Sequence, residues 1–255
     1  MLAFLQFKRR SQRISWHHTL LWFTIIPLLI CKPILWFLYR TRWYGKEQVP
    51  RTGAAFVLCN HQSHLDPILV GTMLCDRCAR SLARETLKTD SRFWGWVIKY
   101  GFDSIWLKQD EADPGAMREA LNELKSGRIM AIYPEGARTH DGSIQPFKRG
   151  AFLLIKRGKV PVIPAAIEGA YDAWPRGTSR PRLNGRVKIT LGEPIPAETL
   201  VEMGPEAAMA HIFDVIEGLR LELRAKIRDE TNGRFPAPGP GDVDARTLDR
   251  PKVEL

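Results

Sequence analysis

The stretch Asn60-His61-Gln62-Ser63-His64-Leu65-Asp66-Pro67 crowds two imidazoles, a hydroxyl and a carboxylate into one short segment. His61 and Asp66 are the pair whose types and spacing suit proton transfer. A carboxylate on one imidazole nitrogen fixes the tautomer and stabilises the imidazolium. The other nitrogen can then take a proton from a hydroxyl. Residues five apart lie on different faces of a regular helix, but a strand-to-helix turn lets Asp66 fold back toward the His61 ring. Asp66-Pro67 is also a helix-start pair, with Asp66 as N-cap and Pro67 at the first helical position. A second reading therefore stands beside the first: Asp66 only caps a helix, and His61 is a loop residue. His61, His64 and Asp66 offer metal-ligand types without a recognisable spacing, so no metal is expected. Ser63 does not sit in the G-x-S-x-G elbow that exposes a serine nucleophile.

The elements around this loop read as one α/β domain. Ala54–Cys59 is a short apolar run ending at the polar cluster, as a buried strand would. That places His61 at the carboxyl end of a strand, where open α/β sheets build their sites. A helix is expected from Pro67 to about Leu74 and another over Pro114–Lys125, stopped by Ser126-Gly127. Strands are expected at Ile129–Tyr133, Val160–Ile167 and Val187–Leu191, and a helix at Ala151–Lys156. The segment from Glu206 to Arg228 is a long amphipathic helix with Ile212, Val215, Ile216, Leu219, Leu223 and Ile227 on its apolar side. Strands alternating with helices imply a largely parallel or mixed sheet flanked by helices. From Asn232 the chain is rich in Pro, Gly and charge, which predicts a mobile tail over 232–255.

The 255 residues, 44% hydrophobic and 26% charged, exclude a disordered or fibrous chain and have room for one catalytic domain, 46–231, plus extras. A net charge of +10 calls for an acidic partner, either nucleic acid or an anionic membrane. The hydrophobic residues choose between them. Residues 1–19 are basic, Leu20–Cys31 and Ile34–Tyr39 are apolar, and Arg40, Arg42 and Lys46 follow. Residues 1–45 thus read as a membrane-anchoring element, two short helices dipping into one leaflet or one kinked span. The alternative is a helical hairpin that caps the domain's own core. No small-residue cleavage site follows the apolar run, so a removable signal peptide fits poorly. With the charge flanking an apolar anchor and no stacking-aromatic or zinc-finger pattern, no nucleic acid partner is expected. The cysteines Cys31, Cys59, Cys75 and Cys78 are too few for a disulfide framework, and the lone C-x-x-C of Cys75 and Cys78 reads as a spacing accident.

Asn60–Asp66 resembles the N-H-x-x-x-x-D block of the glycerolipid acyltransferases. Tyr133-Pro134-Glu135-Gly136-Ala137-Arg138-Thr139 is similar to that family's F-P-E-G-T-R-S block. Phe147-Lys148-Arg149-Gly150 and Val160-Pro161-Val162-Ile163-Pro164 resemble the two blocks that follow. Several spaced blocks in order are far more specific than any one of them. The resemblance runs over roughly residues 43–195 and is strongest to the bacterial 1-acyl-sn-glycerol-3-phosphate acyltransferases.

The resemblance implies that His61 is the general base on an acceptor hydroxyl and that Asp66 orients it. The hydroxyl attacks the thioester of an acyl-CoA or acyl-carrier-protein donor directly, with no further cofactor. The implied acceptor is a lysophospholipid, lysophosphatidic acid, acylated at its sn-2 hydroxyl to give phosphatidic acid. Arg138 is expected on the phosphate, where its planar fork can bind two oxygens. Glu135 is expected to position the acceptor or Arg138, Gly136 to let backbone approach closely, and Asn60 to join the substrate site. The block Phe102-Asp103-Ser104-Ile105-Trp106-Leu107-Lys108 departs from the family's G-x-I-F-I-D-R. Lys108 stands in place of arginine and Leu107 in place of aspartate, and Arg84 stands where relatives often carry lysine. These departures keep another head group, such as lyso-ornithine lipid, in play beside a transacylase using a phospholipid donor. A non-catalytic lipid binder is the reading from a different class. An acyl tunnel would draw on aromatics such as Phe93, Trp94 and Trp96. The family's placement implies the cytoplasmic face of a bacterial inner membrane.

Overall fold

A computed structural model describes residues 25–77, 79–84, 104–107 and 113–254. The central strands are β1 (Arg42–Tyr44), β2 (Ala55–Cys59), β3 (Arg80–Arg84), β4 (Ile105–Leu107), β5 (Ile129–Ile132), β7 (Val162–Glu168) and β8 (Lys188–Leu191). They form one sheet in the order β1-β8-β7-β2-β5-β3-β4. All neighbouring pairs are parallel except β7 and β8, so the sheet is mixed. A separate short pair joins β6 (Phe147–Lys148) to β9 (Val253–Glu254).

The strand pleat divides the core in two. Phe56 and Leu58 of β2 face one side, while Ala55, Val57 and Cys59 face the other. Every residue of β2, β5 and β7 is buried, as expected of strands covered on both faces. On one face lie α3 (Pro114–Lys125), α4 (Gly150–Gly158), α6 (Ala197–Met203) and α7 (Pro205–Glu230). On the other lie α1 (Lys32–Tyr39), α2 (Asp66–Met73) and α5 (Ala170–Ala173). The start of α3 is set by Asp113, whose carboxylate accepts the Ala116 amide N–H at 3.0 Å, and by Pro114 behind it.

Three sequence expectations change. No described helix is long and apolar enough to cross a membrane. Residues 27–39 form a π-helical turn (Pro27–Cys31) running into α1. Leu35 and Tyr39 pack into the core beside Leu69 and Met73, while Leu29, Ile34, Trp36 and Phe37 stay exposed. The rest of the expected anchor, residues 1–24, lies outside the described residues.

The tail expected to be mobile is instead packed on the domain. Its composition is poor in apolar residues, and charge and strand pairing hold it: Arg224 binds Asp242 at 2.7 Å, Arg250 donates to the Ile144 carbonyl, and β9 pairs with β6. Asp66 is not an N-cap. It is the first residue of α2, Leu65 precedes it without a side-chain cap, and the Asp66 carboxylate turns back toward the preceding loop.

Candidate active site

Strands β2 and β5 run parallel and in register, with Leu58 beside Ile132, so the loops leaving their carboxyl ends emerge side by side. One loop carries residues 60–66 and the other residues 133–147. Their backbones lock together: the Thr139 amide donates to the His61 carbonyl at 2.8 Å, and the His61 amide donates to Glu135 Oε1 at 2.7 Å. This junction positions the imidazole.

His61 Nδ1 lies 2.8 Å from Asp66 Oδ2, with the carboxylate fully buried and the ring 18% exposed. The amides of Gln62 and Ser63 donate to the same oxygen at 2.6 and 2.8 Å. Two fixed N–H dipoles thus hold the carboxylate against the ring, and Nδ1 donates to it, leaving Nε2 as the acceptor nitrogen. The imidazole stacks on Tyr133, with centroids 4.2 Å apart and planes 21° apart, so one ring face is closed to solvent. Burial holds the Tyr133 phenol well above its ordinary pKa, with Cys59 and Asp66 adding to the effect. An imidazole whose tautomer is fixed and whose second nitrogen is left to accept is a general base in form.

The other residues expected at a site fall into distinct places. Glu135 is 5% exposed, and its two oxygens accept the amides of His61 and Gln145, at 2.7 and 3.1 Å. Burial pushes its pKa well above the carboxylate range, against the pull of those amide donors. It therefore braces the two loops rather than presenting a carboxylate to an acceptor. Asn60 is 1% exposed, and its amide is spent on Ile167, donating to the carbonyl at 2.9 Å and accepting the N–H at 2.7 Å. It ties the end of β2 to β7 from a position buried away from solvent.

Gly136 takes a φ of +71°, a conformation that favours glycine, and its amide closes a turn on the Tyr133 carbonyl. Arg138 is half-buried in the same loop. Its charge acts on His64, whose pKa is lowered to about 4 by burial first, then by Arg138 and His61. Arg84 ends β3, its side chain outside what is described, and Lys108, Phe93, Trp94, Trp96 and Cys78 lie outside the described residues altogether. Among the described residues no group of three or more His, Cys, Asp or Glu side chains is arranged to hold a metal ion.

Sequence reasoning missed a second layer of support. Gln62 Nε2 donates to the Gly142 carbonyl and to Glu168 Oε2, both at 3.2 Å, and its Oε1 accepts the Tyr171 amide. Glu168, at the end of β7, is gripped by Arg220 at 2.9 Å and Arg224 at 2.7 Å, and Arg220 is also paired with Glu217. Burial alone would lower the pKa of Arg220, but the carboxylates of Glu217 and Glu168 outweigh it and raise it. The signal was legible: residues 216, 220 and 224 share a helical face, so two arginines stand in the apolar stripe of α7.

Beside Tyr133 opens a cavity of about 300 Å³ lined mainly by apolar side chains, among them Leu82, Met117, Ile132 and Leu154, with Gly136 at its wall. The site is thus a proton-accepting imidazole held against the loop that carries Arg138, with Tyr133 of that loop both stacked on the ring and lining an apolar recess.

The family model described as Acyltransferase matches residues 40–168. The 1-acyl-sn-glycerol-3-phosphate acyltransferase alpha of Mus musculus is 31% identical over 178 residues, covering 69% of this chain and 62% of that protein. The 1-acyl-sn-glycerol-3-phosphate acyltransferase of Bacillus subtilis is 24% identical over 184 residues, covering 72% of this chain and 88% of that one. The chain therefore spans less than two thirds of the mouse relative. The crystal structure of the 1-acyl-sn-glycerophosphate (LPA) acyltransferase PlsC from Thermotoga maritima shares the fold, with a TM-score of 0.59 at 21% identity, covering 92% of this chain and 97% of that one. The family match takes in just over half of the chain, including both loops that meet at the imidazole. On that ground the chain belongs to the acyltransferase family.

Proposed function

We propose that this chain acylates the sn-2 hydroxyl of lysophosphatidic acid from an acyl thioester, giving phosphatidic acid. The observation that carries the reading is the His61–Asp66 pair, 2.8 Å apart, with the imidazole stacked on Tyr133, which also lines an apolar recess. The acceptor hydroxyl gives its proton to His61 Nε2 as its oxygen bonds the thioester carbonyl carbon. The tetrahedral intermediate then breaks its C–S bond, the imidazolium returns the proton to the departing sulfur, and an ester and a free thiol remain. Asp66 stabilises the imidazolium during that interval. No enzyme nucleophile enters the balance. Ser63 donates its hydroxyl to the Trp174 carbonyl and serves the loop instead.

Arg138, on the loop facing the imidazole, is the cation assigned to the acceptor's phosphate. The recess beside Tyr133 takes the acyl chain, since its walls are apolar and it opens next to the imidazole's stacking partner. The donor is acyl-CoA or an acylated carrier protein. The chain works at a membrane surface, on the cytoplasmic face of a bacterial inner membrane. The exposed Leu29, Ile34, Trp36 and Phe37 supply an apolar footing for the described part of residues 1–45.

The test is purified chain in detergent with labelled acyl-CoA and a panel of lysolipids, including lysophosphatidate and lyso-ornithine lipid. Labelled phosphatidate as the main product supports the assignment. Transfer chiefly to an acceptor without a phosphate would remove Arg138's role, and lysolipid consumed only with a phospholipid donor would make the chain a transacylase.

A further inference from the structure

The connection between α5 and β8 is unusual in composition. Residues 175–186 read Pro-Arg-Gly-Thr-Ser-Arg-Pro-Arg-Leu-Asn-Gly-Arg, with four arginines and no acidic residue. The stretch is exposed from Arg176 to Arg180 and again from Arg182 to Asn184. Leu183, amid the arginines, is 69% exposed, among the most exposed of the large apolar side chains. A lone exposed leucine on a folded domain needs no explanation. One carried on a fixed loop among arginines, beside a helix that also shows apolar side chains, has a shared cause.

The loop is held, not loose. The Arg182 amide donates to the Ala173 carbonyl at 2.8 Å, and Trp174 Nε1 donates to the Thr178 carbonyl at 3.0 Å. One end meets the site, where Arg176 donates to the Arg138 carbonyl at 2.9 Å. The other end meets the amino-terminal helix, where the Val187 amide donates to the Tyr39 carbonyl at 3.1 Å. The loop thus bridges the loop of Arg138 and the end of α1, whose Ile34, Trp36 and Phe37 are 50%, 44% and 71% exposed. Trp36 lies under Arg40, the cation 5.2 Å from the ring centroid, an aromatic and cation pairing suited to the head-group zone.

We propose that residues 176–184 form a second membrane-docking element, laying Arg176, Arg180 and Arg182 on anionic lipid head groups and seating Leu183 in the leaflet. The inference rests on the membrane-surface reading above and extends it from α1 to a loop that ends at Arg138. Charge complementarity favours an anionic leaflet, and the apolar Leu183 and α1 favour a lipid surface over an acidic protein. Seating the loop there holds the mouth of the site against the plane in which lysolipid and product reside.

The test uses the full chain and compares vesicles of equal phosphatidylglycerol and phosphatidylcholine with vesicles of phosphatidylcholine alone. The parent should partition onto the anionic vesicles in a salt-sensitive way. The double variant Arg180→Ala with Arg182→Ala should partition about 10–30-fold more weakly, since each arginine near an anionic surface contributes roughly a five-fold affinity. Its turnover of lysolipid in detergent micelles should match the parent's, because neither residue belongs to the proton-transfer or phosphate-binding set. Leu183→Trp, a separate variant, should shift its emission to the blue on anionic vesicles. Unchanged partition of the double variant beside normal parent binding, or no emission shift, would overturn the loop's role alone. Failure of the parent to bind either vesicle would overturn the membrane reading and the loop's with it. A defect confined to turnover with an acyl-carrier-protein donor, vesicle binding being intact, would assign the loop to a protein partner and overturn the lipid assignment.

Discussion

At the scale of single residues, the site depends on groups whose job is to hold rather than react. Glu135 receives an amide on each oxygen, so Glu135→Gln would place an NH2 against one of two N–H donors. Leaving a buried donor unmet costs about 1–3 kcal/mol. The variant should lose that much in chemical denaturation and turn over more slowly, with the tie between the two loops weakened to the Thr139–His61 backbone bond. His64 makes a different prediction. It is held neutral in the fold with a pKa of about 4, against 6.5 in the unfolded chain. Its contribution is therefore whole above pH 6.5, declines as pH falls, and is gone by about pH 4, because the unfolded chain binds the proton first. Melting temperature measured across that window should fall more steeply in the parent than in His64→Gln; equal slopes would mean His64 is not held neutral. Residue type and spacing left the His61 and Asp66 pairing beside a bare helix cap, and the resemblance to the N-H-x-x-x-x-D block chose between them. The roles of Asn60 and Glu135 were not legible, because a motif marks a position without saying whether its side chain faces substrate or backbone, and here both face backbone.

Among the elements, the ones legible in the sequence were those with a long, regular pattern. The Pro114–Lys125 helix falls where its spacing, its Pro114 start and its Ser126-Gly127 stop place it. The buried strands β2, β5 and β7 show as apolar runs. The short strands β1, β3, β4, β6 and β9 were invisible, since two to five residues, charged ones among them in all but β4, carry no period and owe their form to a distant partner. One such strand, β1, is followed at once by a glycine packed against the end of β8. Gly45 has φ +75°, and a Cβ there would stand 2.1 Å from the Leu191 carbonyl oxygen at the end of β8. Gly45→Ala combines an unfavourable backbone conformation with a collision against backbone. A loss of about 2–4 kcal/mol is expected, read as a lower denaturation midpoint. An unchanged midpoint would show that β1 can move off β8 freely.

Across the whole molecule, the two loops of the site are tied to distant parts of the chain. Gln62 reaches Glu168, Glu168 holds Arg220 and Arg224 of α7, and Arg224 reaches Asp242 in the segment beyond that helix. Composition predicted a mobile tail because it counts apolar residues, and this segment is fixed by ion pairs and carbonyl acceptors that composition does not register. Breaking a buried pair from one side leaves a buried charge unmet and costs about 3–5 kcal/mol. Glu168→Ala removes the carboxylate that Arg220 and Arg224 share, leaving Arg220 to Glu217 and Arg224 to Asp242, and should lose up to that much stability by denaturation, together with activity, as Gln62 loses an anchor. Full stability in that variant would mean the network is ornamental.

The central claim is narrower than any of these: one imidazole, fixed by Asp66, removes the proton from the acceptor hydroxyl. The most direct measurement is the initial rate of thiol release on mixing acyl-CoA and lysophosphatidate with parent and His61→Ala chains, both shown folded by circular dichroism. The account predicts a fall of about 10²–10⁴-fold, the usual worth of a positioned general base. A folded variant that releases thiol at the parent's rate would contradict it.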